Sequence, residues 1–441
     1  MIIAARPSAE LDIKTGAVKS IRHVRILPLA VAKLARYLED LCKAANISLR
    51  LIEDVKRSQL FKQLPQSPIA AILLSKLLTA DRQDLPSSMT ELYSQSMELM
   101  LGRWDIQKGL QTQKEYAAIT AVMGRLARFV LDNGLDAISM DEARANFSSY
   151  LAERNLELKA EDLLERVCER SGVLATDLTQ GVVRFRHRSF AEYLYALEQK
   201  EGGGQEIDGS FFDVYWQNCR FFYVGLRKDC PELLKDILAW PPSSLGERWV
   251  KLLNAPNYLL AGVTTPYRIT EEYLYKLMLE AGNLYIDIRN GALTQGLAKL
   301  SEGQLLWLFQ YLIRQSYSFR YFAKALESSV LRILDDNADS EVKAYALLFL
   351  SLVGLDLDEP DAMDLLLKDF GVANLPLAAS WAAKCEIESY KAGQKSPLMK
   401  KHQKKLKRLA KAEQAIAQEL RDIFEVPLER RQKTLTRRKA L

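Results

Sequence analysis

Histidine and cysteine are scarce in this sequence, with three histidines and five cysteines among 441 residues. The cysteines are scattered and lack the spacing that metal ligands need: Cys42, Cys168, Cys219, Cys230 and Cys385. We expect buried or half-buried thiols in a reducing compartment and no metal site. The three histidines, His23, His187 and His402, belong to no Cys-His or Ser-His-Asp arrangement that indicates nucleophilic catalysis.

Long apolar runs are also absent, since no stretch approaches the roughly 20 residues that a helix needs to span a bilayer. The opening Met1–Pro7 is too short for a signal peptide, so we expect a cytoplasmic protein with no membrane partner. The pattern G-x-x-x-x-G-K-[ST], which cradles nucleotide phosphates, does not occur in the sequence. We therefore expect no ATPase activity from this chain alone.

The charge is divided unevenly along the chain. Residues 391–441 contain 16 Lys or Arg and 5 Asp or Glu, a charge of +11. The preceding 390 residues contain 45 basic and 51 acidic side chains, a charge of −6. Any affinity for nucleic acid or for an acidic partner would therefore lie in the tail.

Apolar periodicity predicts a mainly α-helical fold. A buried strand is predicted first, at Met1–Ala5, and it needs a parallel sheet that the residues after it do not supply. Helices are then predicted near residues 28–45, 68–77, 88–104, 113–133, 140–154 and 159–170. Beyond residue 204 the pattern is helical to about residue 388, rich in aromatic residues and loosely solenoid-like.

The period changes around residue 172. Gly172–Ala175 and Gly181–Phe185 flank a polar turn and predict a β-hairpin, and a helix follows from Ser189. Helices, a hairpin and a further helix form the pattern of a winged helix. The segment Leu158–Arg170 has four acidic and three basic residues, which does not favour DNA binding. Gly202–Gly204 marks the end of this region and a predicted hinge.

Four segments together suggest a family. They are Ile2–Pro7, Gln66–Ile69, Leu85–Asp105 and Phe185–Leu194, the last reading FRHRSFAEYL. In this order and spacing they resemble the last core strand, the proline turn, the next linker and helix, and the winged-helix histidine motif of the NACHT branch of the STAND ATPases. That class includes the NLR immune receptors and bacterial antiphage relatives. The resemblance covers about residues 1–200.

The resemblance implies three nucleotide-binding residues. Arg6 is implied as a γ-phosphate sensor, although a solvated cation at a strand end is the simpler reading. Pro68 is implied to pack against adenine, although proline commonly starts a helix, and Ser67 stands where many relatives have glycine. His187 is implied to bind the β-phosphate of ADP, the alternative being a capping or core histidine. The family's P-loop and acidic magnesium-binding strand are expected before Met1.

Five regions follow from the resemblance and the composition. They are a residual nucleotide-domain strand (1–27), a helical domain (28–83), a winged-helix domain (84–203), a helical sensor-like domain (204–390) and a basic helical tail (391–441). From the few large apolar residues after position 396, we expect the tail to be peripheral, so that its deletion leaves folding intact.

The function that the resemblance implies is an ATP- and ADP-controlled switch, with bacterial antiviral defence as the setting. ATP or ADP would bind only with the nucleotide-binding half, a protein trigger would bind the C-terminal domain, and activation would bring homo-oligomerisation. Two alternatives remain open: a free-standing helical adaptor that binds protein, and a nucleic-acid-binding protein that acts through its basic tail.

Overall fold

A computed structural model describes residues 31–44, 68–79, 86–102, 113–177, 179–202, 207–390, 400–402, 404–405 and 414–431. The predicted strand at Met1–Ala5 lies outside these residues, and so do Arg6 and the hinge residues Gly203 and Gly204. Over the described residues the fold is mainly α-helical, as the sequence predicted.

The first helices are α1 (Val31–Ala44), α2 (Pro68–Thr79) and α3 (Met89–Met100). Proline suits the first position of α2 because a backbone N–H group at that position would have no hydrogen-bond acceptor within the helix. Ser88 caps α3, since its side chain accepts a hydrogen bond from the Glu91 amide at 3.2 Å. Glu91 in turn accepts from the amide and the hydroxyl of Ser87, each at 2.7 Å. α3 packs against α2 and therefore extends the first helical layer.

A small antiparallel sheet is embedded in the next helices. The order along the chain is α4 (Gln113–Asp132), β1 (Ile138–Ser139), α5 (Met140–Glu153), α6 (Ala160–Arg166), β2 (Leu174–Asp177), β3 (Val182–Phe185) and α7 (Arg188–Glu201). β3 is central, with Ile138 opposite Val183 on one side and Leu174 opposite Phe185 on the other. A π-helical turn prolongs α6, and Gly172 ends it at a φ of 68°, a left-handed conformation that glycine tolerates.

The hairpin β2–β3 was predicted from the sequence, but β1 was not. With two residues, β1 is too short to show an alternating pattern. Ser139 also belongs to the capping box of α5, because its hydroxyl accepts from the Glu142 amide at 3.1 Å. The local sequence therefore signals the start of a helix and hides the strand before it.

The second half of the described chain is helical and begins with a 3-10 turn at Gly209–Phe212. Its helices are α8 (Gln217–Arg227), α9 (Pro231–Ala239), α10 (Leu245–Ala261), α11 (Arg268–Arg289), α12 (Glu302–Tyr317), α13 (Leu326–Asp335), α14 (Ser340–Asp356), α15 (Asp361–Leu365), α16 (Leu377–Ser389) and α17 (Gln414–Glu425). A π-helical turn at Leu366–Gly371 prolongs α15. α14 is the central helix because it is apolar almost all round, and α11, α12, α13, α15 and α16 pack around it.

Most aromatic side chains of this half form its core. Tyr285, Phe309, Tyr345 and Phe349 are fully buried and touch one another with ring centroids 4.3–6.4 Å apart. Such edge and tilted contacts stabilise a core beyond the area that they bury. Two aromatic residues of α12 differ: Trp307 and Tyr311 lie one turn apart with exposed fractions of 44% and 63%.

The described end of the tail is part of the helical core, so the prediction that the tail is peripheral is wrong for residues 414–431. Ile423 and Leu428 are 3% and 1% exposed, and the ring of Phe424 lies 6.0 Å from that of Trp381. The Leu428 amide donates to the Leu300 carbonyl at 2.9 Å. Arg431 forms an ion pair with the buried Glu302 at the start of α12.

The basic character of the tail lies outside this docked segment. Residues 414–431 contain three arginines and four acidic residues, so their charge is −1. Four lysines before it are exposed: Lys400, Lys401, Lys404 and Lys405. Where the structure describes the tail before residue 426, residues 400–402, 404–405 and 414–425 are helical, and the docked helix α17 has a charge of −2.

Within the described ranges, no helix combines the length and the apolar character that crossing a bilayer requires.

Candidate functional site

Two of the family-like segments meet at the start of α7. Tyr93, on α3, donates a hydrogen bond from its hydroxyl to the hydroxyl of Ser189 on α7 at 2.8 Å. Both side chains are buried, and 96 positions of sequence separate them. The ring of Tyr93 also packs against Phe190, Tyr193 and Phe222. The linker-helix segment and the histidine segment therefore form one structural unit.

His187 occupies the turn between β3 and α7. It is the N-cap of α7, and its ring nitrogen Nδ1 accepts from the Ser189 amide at 3.2 Å. The same nitrogen lies 2.6 Å from the Ser189 hydroxyl. Its ring meets Phe190 edge to face at 6.2 Å between centroids, and the residue as a whole is exposed. The position is thus both a capping site, as the simpler reading had it, and an accessible imidazole at a helix N-terminus.

The residue after His187 links α7 to the second half of the chain. The Arg188 guanidinium donates to the Glu192 carboxylate at 2.8 Å and to the Tyr215 carbonyl at 3.0 Å, and it lies 4.0 Å from the Tyr215 ring centroid. Glu192 is 4% exposed and also accepts from Asn218 of α8 at 3.0 Å. A buried carboxylate needs such partners, because an unpaired charge in the interior is costly.

The two arginines beside His187 have different surroundings. Arg188 is paired with Glu192 of the same helix. Arg186 is exposed, and its Nε donates to the Leu174 carbonyl of β2 at 3.0 Å. The guanidinium of Arg186 therefore extends the hairpin pairing beyond the last residue of β3.

Of the other two predicted site residues, the structure describes Pro68 and not Arg6. Pro68 begins α2, which packs on α3, and α3 in turn packs on α7. Pro68 and His187 therefore belong to elements that share α3 as a neighbour. Arg6 lies outside the described residues. The roles assigned to Arg6, Pro68 and His187 remain predictions.

The described cysteines have the environment of structural thiols. Burial raises the pKa of the Cys230 thiol to about 11, and burial also raises the pKa of Cys168, Cys219 and Cys385. Because the thiolate is the reactive form, a raised pKa does not suit a nucleophile. In the parts of the chain that the structure describes, no three His, Cys, Asp or Glu side chains are grouped to hold a metal ion.

Sequence reasoning assigned a role to His187 but not to Tyr93 or Ser189. Both lie inside the family-like segments Leu85–Asp105 and Phe185–Leu194. Ser189 follows His187 by two residues, so its hydroxyl can reach the His187 ring. The distant partner Tyr93 could not be found from one sequence, because nothing in the local pattern around either residue reports a contact over 96 positions.

Comparison with known families supports the resemblance. Residues 257–432 match the family model of the NACHT C-terminal Helical domain 1. The matched range lies outside the region on which the sequence resemblance was based, so the two are separate indications, and the match is consistent with a NACHT-type C-terminal portion. The match also includes the docked segment 414–431. Comparisons with curated proteins and with solved structures gave no significant match.

Proposed function

We propose that this chain works as the regulatory part of a NACHT-type nucleotide switch. In this proposal ADP, bound between a nucleotide-binding domain and the region around His187, holds the protein closed. Exchange of ADP for ATP opens it and permits homo-oligomerisation. A ring N–H at a helix N-terminus suits contact with a phosphate, since backbone amides and the helix dipole there also favour negative charge.

The observation that carries the proposal is the hydrogen bond between Tyr93 and Ser189, which joins two family-like segments directly beside His187. Two features of the surrounding elements support a winged helix over residues 84–203. They are the order of the elements along the chain, α4, β1, α5, α6, β2 and β3, and the central position of β3 in the sheet. The helical-domain match at residues 257–432 supports the family from the other half of the chain.

We further propose that the helical half is the sensor and that α7 carries its signal. Arg188 contacts the Tyr215 carbonyl and Glu192 contacts Asn218, so the first turn of α7 is tied to the start of α8. The predicted hinge begins at Gly202, directly after α7. A rotation of α8 relative to α7 would strain this polar network and shift the backbone beside His187.

The trigger that fits best is a protein. Trp307 and Tyr311 present two exposed aromatic rings on one face of α12, and aromatic residues of this kind often dominate the binding energy of protein interfaces. The exchange of residues 205–390 for those of a related NACHT protein tests this assignment. The chimera should respond to the trigger of the donor; a chimera that keeps the original trigger contradicts it.

Antiviral defence and a cytoplasmic location are the setting that the family resemblance favours. We also propose a second partner that binds the tail, either an acidic protein or nucleic acid. The side chains that would contact it are the exposed lysines Lys400, Lys401, Lys404 and Lys405. Binding of RNA or DNA that weakens steeply with salt would indicate the nucleic acid.

The central experiment joins the chain to a nucleotide-binding domain of the NACHT type and measures the ADP that remains after desalting. His187→Ala should release ADP about 10- to 150-fold faster, because a hydrogen bond to a charged group contributes about 1.5–3 kcal/mol. Arg6→Ala should spare ADP and weaken ATP, as expected of a γ-phosphate sensor.

Lys200→Ala is the matched control, because Lys200 is exposed at the opposite end of the same helix. This variant should retain ADP like the unmodified protein. If His187→Ala and Lys200→Ala release ADP at the same rate, His187 does not contact the nucleotide and the assignment fails.

A further inference from the structure

The hydrogen bonds around His187 determine which ring nitrogen carries the hydrogen. A backbone amide can only donate, and the Ser189 amide points at Nδ1 from 3.2 Å. Nδ1 is therefore the acceptor, and the neutral ring carries its hydrogen on Nε2. The tautomer follows from this partner rather than from the ring itself.

The same reasoning fixes the direction of the two hydroxyl bonds. Since Nδ1 is an acceptor, the Ser189 hydroxyl at 2.6 Å must donate to it. The Ser189 oxygen is then left to accept, and the Tyr93 hydroxyl, 2.8 Å away, donates to it. Tyr93 is 1% exposed and Ser189 8% exposed, so water does not compete freely for either bond.

We propose that Tyr93 and Ser189 are positioning residues for His187. Their two O–H groups form a chain that holds Nδ1 as an acceptor and thereby presents Nε2–H as the phosphate donor. This inference rests on the proposed function for the role of Nε2–H. The tautomer itself is set by hydrogen bonds within the chain and does not depend on a bound nucleotide. Tyr93 and Ser189 touch no nucleotide in this scheme and act only through His187.

The test begins with ¹⁵N shifts of the histidine ring in the full chain, with His187→Ala identifying the signal among three histidines. The unmodified chain should show a single tautomer with Nε2 protonated. Ser189→Ala should give averaged shifts from two exchanging tautomers, and Ser189→Thr, which keeps a hydroxyl, should restore the single form.

Tyr93→Phe keeps the aromatic packing and removes only the hydroxyl, so it should shift the Nδ1 signal without unfolding the chain. Tyr193→Phe is the matched control: Tyr193 is equally buried and packs on Tyr93, but its hydroxyl lies outside the chain to His187. A protonated Nδ1 in the unmodified chain, or unchanged shifts in both Ser189→Ala and Tyr93→Phe, would overturn the inference.

Nucleotide measurements on the joined protein separate this inference from the proposed function. Tyr93→Phe and Ser189→Ala should release ADP about three- to tenfold faster, a smaller effect than His187→Ala, because the ring remains and only its orientation loosens. If His187→Ala alone accelerates release, the positioning role is wrong and the proposed function stands. If none of the three accelerates release while the ring shifts behave as expected, the tautomer assignment stands and the nucleotide contact is wrong.

Discussion

Leu428→Ala tests whether the end of the chain belongs to the helical core. The Leu428 side chain is 1% exposed, and its amide donates to the Leu300 carbonyl just before α12. Removing three methylene-sized groups from a buried leucine costs about 2–4 kcal/mol, which combines the lost burial and the cavity left behind. We expect this cost to fall on the docking of residues 414–431.

Hydrogen exchange measured by mass spectrometry is the suitable assay, because docking is a local event. In the unmodified chain the segment 414–431 should be protected, and in Leu428→Ala its exchange should accelerate at least about 30-fold, the factor that 2 kcal/mol gives. The neighbouring turn at Ser301–Leu305 should also lose protection, since Gly303 lies against the ring of Phe424.

Glu425→Ala serves as the control, because Glu425 lies on α17 but is exposed. It should exchange like the unmodified chain. Equal exchange in Leu428→Ala and Glu425→Ala, or no protection of residues 414–431 in the unmodified chain, would refute the docking of the tail.

Four further outcomes are expected. Gly282→Ala should destabilise the chain by about 1–3 kcal/mol, because its new Cβ would lie 2.6 Å from the Val342 carbonyl where α11 crosses α14. Gly246→Ala on α10, whose new Cβ would lie in ordinary contact 3.8 Å from the Ser244 hydroxyl, should instead stabilise it by about 0.5–1 kcal/mol, and thermal unfolding distinguishes the two. Burial raises the pKa of Tyr193, Tyr195 and Tyr267 to about 12, above the unfolded value of about 10. Their contribution to the free energy of unfolding is therefore complete below about pH 10 and is lost as the pH rises through about 12. Phenolate absorbance and unfolding curves, measured over the same pH range, can follow this loss. Phenolate formation that is complete near pH 10 in the folded chain would contradict the prediction. Calorimetry of the 441-residue chain alone should detect no tight ATP binding, because the sequence has no P-loop, and micromolar affinity would refute this expectation.

Local signals in the sequence predicted most of the helices and the hairpin. Pro68 starts α2, Ser88 caps α3, and the Ser301–Gln304 capping box starts α12. Gly172 has the positive φ expected of a residue that ends a helix. These features depend on neighbours within a few positions, so one sequence is enough to find them.

Features that depend on distant partners could not be predicted in this way. β1 exists because Ile138 pairs with Val183, and the tail docks because Leu428 meets Leu300. Few large apolar residues lie in the tail, but their number mattered less than their placement, since Ile423 and Leu428 both enter the core. On α12 the aromatic residues are divided between surface and core, because Trp307 and Tyr311 are exposed while Phe309 is buried.

The adjacency of His187 and Arg188 has a consequence for how the two halves of the chain can be measured. His187, whose imidazole is proposed to contact a phosphate, is joined by one peptide bond to Arg188, whose guanidinium donates a hydrogen bond to the Tyr215 carbonyl. If occupancy of one side alters affinity on the other, thermodynamic linkage requires the same factor in both directions. A trigger that lowers ADP affinity tenfold must itself bind ADP-loaded protein tenfold more weakly. Coupling can therefore be measured from the trigger side, by binding alone, before any downstream activity is identified.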